Sequence, residues 1–182
     1  MEINMRLSEN TTTKIIVERN ILERVNDLLA DLKPYKIGII TGPLIAKHWL
    51  PFLESSLKKL NIQTHVMVAP KGEKAKSFNV YKRVMKELID FGLTRKSMII
   101  GFGGGSICDL AGFVASTYMR GVQLVLIPTT LMAQVDAAIG GKNGINFIGK
   151  NMIGTFYSPL KVIVDPTLLK TLNKKEYKSG LA

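Results

Sequence analysis

Short runs of apolar residues alternate with segments in which apolar residues return every three or four positions, and the alternation holds along most of the chain. "NMRL" and "TKIIVE" alternate apolar and polar positions around "SENTT", which predicts an N-terminal hairpin. Asn20 stands where a helix N-cap belongs, ahead of "ILERVNDLLADL". "YKIGIIT" is an apolar run of strand length ending at Gly42, and "PLIAKHWLPFLESSLKKL" has helical spacing despite Pro51. "IQTHVMVAP" then predicts a strand, "FNVYKRVMKELIDFG" a helix closed by Gly92, and "SMIIGFG" a third apolar strand. A helix from Gly105 and strands at "QLVLIP" and "KVIVD" continue the series, while "TLLKTLNKKEYKSGLA" opens with helical spacing and ends on an apolar pair. Repeated strand–helix units with almost wholly apolar strands predict an α/β fold, a mostly parallel sheet with helices on both faces. No internal repeat, low-complexity tract or linker divides the chain, so residues 1–182 read as one domain.

Composition narrows the function more than the fold. A chain of 182 residues, 46% hydrophobic and 21% charged, is long enough for a sizeable core and reads as soluble. "MEINMRLSEN" lacks the apolar centre of a signal peptide. "VQLVLIPTTLMAQVDAAIGG" carries Gln123, Pro128, Gln134 and Asp136, so no membrane span is expected and the expected location is cytoplasmic. The single Cys108 excludes an internal disulfide and a cysteine-based zinc site. His48 and His65 fit no metal-ligand spacing and read as partly buried structural residues. The net charge of +11 is spread over helix-like segments (Lys58, Lys59; Lys82, Arg83, Lys86; Lys170, Lys174, Lys175, Lys178) without interleaved aromatics. That pattern points to a solvated lysine-rich surface and not to nucleic acid.

Four segments carry candidate chemistry. "GFGGGSICD" (101–109) lies between a predicted strand and a predicted helix, where backbone amides at a helix N-terminus approach a pyrophosphate. It departs from G-x-G-x-x-G because Ser106 replaces the third glycine, and no acidic residue closes the next strand, so a tight turn explains it equally well. "PTT" puts the Thr129 and Thr130 hydroxyls at another strand end, within reach of phosphate or ribose, although a helix N-cap would also use one of them. "QVDAAIGGKNGINFIGKN" sets Gln134, Asp136, Lys142, Asn143, Asn146, Lys150 and Asn151 among four glycines, the mixture of flexible backbone and donors that an anion requires. "PKGEKAKSF" offers Glu73 and Lys76, or is simply a charged turn before a helix. No Ser-His-Asp, Cys-His or paired-carboxylate arrangement can be assembled.

Taken in order, "PKGEKAKS", "GFGGGSICDLAGFVASTYMRGV", "IPTTLMAQVDAAIGGKNGIN" with "GKNMIGTFYSP", and "VDPTLLKTL" resemble the 3-dehydroquinate synthase family of sugar-phosphate cyclases, from about Lys36 to the last residue. Iron-dependent alcohol and glycerol dehydrogenases share GGGS-x-x-D but not "GKNMIGTFY" or "YMRGV". The resemblance implies a Rossmann-like NAD-binding domain, followed in the family by a helical domain that supplies most of a zinc or cobalt site. It implies that Glu73 and Lys76 contact the adenosine end and that Gly104, Gly105 and Asp109 flank the pyrophosphate and nicotinamide ribose. Thr129, Thr130, Leu168, Lys170 and Thr171 would complete the cofactor site, with Lys142 and Lys150 also touching cofactor. Asp136, Lys142, Lys150 and Asn151 would stand between nicotinamide and substrate as catalytic residues. Lys142 and Asn151 would also bind the sugar phosphate, and Arg120 would help bind its phosphate across a homodimer interface.

The activity implied is that of a shikimate-pathway lyase of aromatic amino acid biosynthesis. It converts 3-deoxy-D-arabino-heptulosonate 7-phosphate to 3-dehydroquinate and phosphate, with NAD reduced and reoxidised in each turnover. Two departures stand out: "FI" at 147–148 is a shortened loop, and Gly42 replaces the acidic or amide residue that meets the adenosine ribose. In the family "SGLA" continues as "EVIK", whose glutamate is the first metal ligand, so the metal ligands are expected to lie outside these residues. The sequence thus reads as the NAD-binding half of such an enzyme, inactive alone. The alternatives are another sugar-phosphate cyclase and a non-catalytic nucleotide-binding or dimerisation module.

Overall fold

The computed structural model describes residues 1–8 and 11–181. Strands β1 (Glu2–Ser8) and β2 (Thr11–Val17) pair antiparallel, as the alternation predicts, and the turn expected between them lies partly outside the described residues. The segment after Asn20 is not one helix. A 3-10 turn at Ile21–Arg24, the short α1 (Val25–Leu29) and a second 3-10 turn at Ala30–Leu32 share it. Asn20 makes no side-chain cap. It adopts a left-handed φ of 59°, and its amide donates to Asp165 Oδ1 at 3.0 Å.

β3 (Ile37–Thr41) leads into α2 (Pro43–His48) and α3 (Leu50–Lys58), two helices where the spacing predicts one. Pro51 is the cause: inside a helix its ring would clash with the Lys47 carbonyl, whereas in the first turn of α3 its missing N–H costs nothing. His48 is exposed at the end of α2 and not partly buried as expected. His65 does fill a structural role, 3.2 Å from Glu87 and stacked on Phe91. β4 (Thr64–Val68), a 3-10 turn at Gly72–Lys76 and α4 (Phe78–Phe91) follow, α4 being capped by the Ser77 side chain and ended by Gly92 in the left-handed region. β5 (Met98–Gly103) runs into α5 (Gly105–Thr117), then a 3-10 turn at Tyr118–Arg120 and β6 (Gln123–Pro128). A π-helical turn at Ala133–Ala137 precedes β7 (Lys142–Phe147) and β8 (Gly149–Phe156). β9 (Lys161–Val164), a 3-10 turn at Pro166–Thr171 and α6 (Lys174–Ser179) complete the described chain.

Seven strands form one sheet in the order β1-β2-β9-β6-β5-β3-β4, parallel except for the β1–β2 pair. Alternation along each strand explains why these runs are apolar throughout. Ile37, Ile39, Met98, Ile100, Phe102, Val125 and Ile127 face a core shared with α1 and α3, whereas Ile40, Ile99, Leu124 and Leu126 face one shared with α4 and α5. The chain steps from β3 outward to β4, then returns to β5 on the other side of β3 and proceeds through β6 to β9. The winding therefore reverses between β3 and β5, and at such a point a crevice opens beyond the strands' carboxyl ends.

β7 and β8 form a separate antiparallel hairpin where the sequence suggests a ligand-facing loop. Its glycines let two backbones approach each other: a Cβ on Gly144 would stand 2.8 Å from the Ile153 carbonyl oxygen, and one on Gly154 2.6 Å from that of Asn143. Asn143 is buried, and its Nδ2 donates to the Gly141 and Tyr157 carbonyls at 2.9 and 2.8 Å, which closes the base of the hairpin.

Candidate functional site

The strand ends bring the predicted segments to two cavities. The larger, roughly 620 Å³, lies at the winding reversal. It runs from Gly42, Pro43 and Lys47 past Lys71 and the Gly103–Ile107 turn to Thr129, Thr130 and Thr171. The second, roughly 540 Å³, is lined by Asp109, Asp136, Lys142 and Asn151 together with the hairpin residues Asn143, Gly154 and Phe156. Of the residues singled out in the sequence, Gly104, Gly105, Thr129, Thr130 and Thr171 therefore meet in one cavity, and Asp109, Asp136, Lys142 and Asn151 in the other.

The glycine turn fits a pyrophosphate on structural grounds. Gly104 is the N-cap of the 13-residue α5 and offers no side chain to its amides, and the amides of Ile107 and Cys108 turn back to its carbonyl. The first amides of the helix, which lack partners within it, open on the cavity with the positive end of the helix dipole behind them. A Cβ on Gly104 would lie 2.9 Å from Thr130 Cγ2, so any side chain there would close the approach between the two walls. Across the cavity Thr130 Oγ1 accepts from the Ala133 amide at 3.3 Å, the helix-start role open to one threonine of "PTT". Thr129 donates its amide to the Gly103 carbonyl at 2.9 Å and so locks the end of β6 to the glycine turn. Gln134 is structural: its Nε2 bonds the Pro128 and Asp165 carbonyls.

Lys76 joins the two regions. Its side chain is 3% exposed, and its Nζ pairs with Asp109 Oδ2 at 2.6 Å and bonds Asn151 Oδ1. One ammonium thus ties the 3-10 turn after β4, helix α5 and the hairpin together. Burial pushes the Asp109 carboxyl above the ordinary aspartate range, and the Lys76 contact acts against that rise. Glu73 is held below its usual range, first by the hydrogen bond from Asn146 Nδ2 at 3.1 Å and then by the Lys76 and Lys150 charges. Lys150 is exposed and lies 3.6 Å from Glu73. Leu168 is buried in the core on the α1–α3 side and Lys170 is exposed beyond it. Thr171 Oγ1 accepts from Trp49 Nε1 at 2.9 Å.

Arg120 is kept apart. It follows the far end of α5, about 20 Å of helix from Gly105, at a left-handed φ of 66° next to Met119 at 48°. Sequence reasoning missed Lys47 and Lys71 as lining residues; each lies within a few positions of a strand's carboxyl end, and that location is the signal that finds them. Among the described residues no group of three or more His, Cys, Asp or Glu side chains is placed to hold a metal ion, so the zinc or cobalt implied by the resemblance has no ligand set here. No helix among them is long and apolar enough to cross a membrane.

Residues 66–179 match the family model described as 3-dehydroquinate synthase N-terminal. A 3-dehydroquinate synthase of Pyrococcus furiosus is 51% identical over 161 residues, 88% of this chain and 48% of that protein. One of Halalkalibacterium halodurans is 44% identical over 180 residues, 97% of this chain and 49% of that protein. The chain thus spans about half the length of the curated relatives it matches. Among solved structures, a 2-epi-5-epi-valiolone synthase from Streptomyces hygroscopicus with NAD+ and Zn2+ bound is 29% identical, with a TM-score of 0.85 over 97% of this chain and 49% of that one. A 2-deoxy-scyllo-inosose synthase complexed with carbaglucose-6-phosphate, NAD+ and Co2+ reaches a TM-score of 0.92 at 22% identity, over 100% of this chain and 50% of that one, a likeness of fold.

Proposed function

The chain belongs to the 3-dehydroquinate synthase family, and from that membership we propose that it is the NAD-binding half of an enzyme that converts 3-deoxy-D-arabino-heptulosonate 7-phosphate to 3-dehydroquinate and phosphate. The observation that carries the reading is the glycine turn at the winding reversal, opening the start of α5 onto the larger cavity. NAD bound there would supply reversible hydride transfer. The amides of the Gly104–Ser106 turn bind the pyrophosphate, and the Thr129 and Thr130 hydroxyls, with Thr171, complete the cofactor site.

The second cavity takes the reacting carbon and its neighbours. Lys142 offers a mobile cation to the substrate's carboxylate or phosphate, Asn151 donates from its amide, and Asp136 accepts a hydroxyl proton. Lys150 and Glu73 lie at the rim of the hairpin, and the location of Arg120 supports its use by a second copy of the chain in a homodimer. No step is assigned to a metal, because these residues supply no ligand set for one. Valiolone and inosose synthases share the fold, but the curated relatives at 51% and 44% identity are 3-dehydroquinate synthases, which favours that substrate.

Calorimetric titration with NAD+ and a phosphate-release assay with the heptulosonate phosphate test the proposal together. The chain is expected to bind NAD+ and, by itself with zinc or cobalt added, to release no phosphate. Failure to bind NAD+ would overturn the cofactor reading. Phosphate release by the pure 182-residue chain would overturn its assignment as half of the catalytic unit.

A further inference from the structure

Two threonines line the larger cavity with their hydroxyl protons committed differently. Thr171 Oγ1 lies 2.9 Å from Trp49 Nε1 and 3.1 Å from the Leu168 carbonyl oxygen. An indole N–H can only donate and a carbonyl oxygen can only accept, so the two partners force one arrangement: Thr171 accepts from Trp49 and gives its own proton to Leu168. What Thr171 has left for the cavity is a lone pair. Thr130 is the reverse case. Its Oγ1 accepts from the Ala133 amide at 3.3 Å, and among the described residues its proton has no acceptor. It stands beside Gly104, where an added Cβ would come within 3.5 Å of that oxygen. The cavity therefore presents donors at the glycine turn and an acceptor at Thr171.

Trp49 is not itself part of the cavity wall. It stands between α2 and α3, at the break that Pro51 enforces, half-buried and tilted against Phe52 with ring centroids 6.0 Å apart. From there its N–H reaches a turn 122 positions further along the chain. Without that N–H, the Thr171 hydroxyl would keep one partner, the carbonyl of its own turn, and could swing its proton toward the cavity instead.

We propose that Trp49 is a positioning residue of the cofactor site: through its indole N–H it holds Thr171 as an acceptor, so that this point of the cavity takes a hydroxyl or N–H group of the dinucleotide and refuses its phosphate oxygens. A phosphate oxygen only accepts, and it meets donors at the glycine turn but none at Thr171. The inference rests on the reading of the cavity as a dinucleotide site and adds to it the orientation of one contact.

Trp49 is the single tryptophan of the chain, so its indole N–H gives one resonance in the isotope-labelled protein, and a titration of the wild type needs no variant. With NAD+ that resonance should move saturably, with the same midpoint as the Gly104 and Gly105 amides. Inorganic pyrophosphate alone should move the glycine-turn amides and leave the indole in place. Trp49→Phe removes the N–H and keeps an aromatic body, and Thr171→Val removes the hydroxyl. By calorimetry each should weaken NAD+ binding about fivefold, the worth of one hydrogen bond, and the double variant should lose no more than either alone. An indole resonance that stays still while NAD+ saturates the glycine turn would overturn the inference and leave the dinucleotide reading intact. So would pyrophosphate moving the indole as far as NAD+ does, or a Trp49→Phe chain with a lowered unfolding midpoint and unchanged affinity, the result of a merely structural role. Losses that multiply in the double variant would overturn it too, since Trp49 would then act by a route other than Thr171. If NAD+ moves neither the indole nor the glycine turn, the underlying reading falls and the inference with it.

Discussion

Lys76 is a flexible, normally solvated side chain held 3% exposed, with Asp109 and Asn151 as the partners of its Nζ. Replacing it by methionine leaves Asp109 buried without a counter-charge, at a cost of about 3 kcal/mol at neutral pH. The Asp109 carboxyl, already raised by burial, then titrates higher still, as carbon-detected NMR of the carboxylate would report. Because a raised carboxyl binds its proton more tightly folded than unfolded, stability falls as pH rises from its unfolded value through its folded one. The deficit of Lys76→Met should accordingly shrink in acid, where Asp109 is protonated. Asp31 shows the opposite sign. Its pairing with Lys161 Nζ at 2.6 and 2.7 Å holds its carboxyl below the ordinary value, a contribution present above about pH 4 and lost as pH falls through the folded value. Asp31 is 65% exposed, so Asp31→Asn should cost only about 1 kcal/mol at pH 7 in urea unfolding, and nothing in strong acid.

Close approach between elements positions the second cavity. A Cβ on Gly112 would fall 1.8 Å from Asn143 Oδ1, so the hairpin lies directly on the backbone of α5. Gly112→Ala should cost about 2–3 kcal/mol and displace β7, moving Lys142 and Asn151 in the wall of the second cavity before it affects the glycine turn; urea unfolding and hairpin amide shifts would register both. The sheet and α4 and α5 were legible because their signals are local: apolar runs, Ser77 as a cap, Gly92 as a stop. The hairpin was not, because in "GGKNGINFIGKN" residues that look like ligand donors serve the fold, Asn143 closing the hairpin base and Gly144 and Gly154 admitting the opposite strand. The break at Trp49 was visible in Pro51 but outweighed by unbroken helical spacing on either side. In the same way "GFGGGS" marked the glycine turn that lines the larger cavity, whereas the lining lysines carried no motif and needed the strand ends located in space.

At the scale of the whole molecule, one parallel sheet turns back on its winding between β3 and β5 and so creates a crevice, while a separate hairpin laid on α5 creates a second cavity within reach of it. The excess of lysine also has a local meaning: Lys47 and Lys71 face the first cavity and Lys142 the second, where an anionic dinucleotide and an anionic sugar phosphate would both be drawn. The central claim is that the crevice is the dinucleotide site. The most direct measurement is a titration of the isotope-labelled chain with NAD+, followed by amide chemical shifts. The amides of Gly104, Gly105 and Ser106 should move saturably, together with those of Gly42 and Thr130 on the flanking walls. Shifts confined to other parts of the molecule, or no shifts at the highest attainable NAD+ concentration, would contradict it.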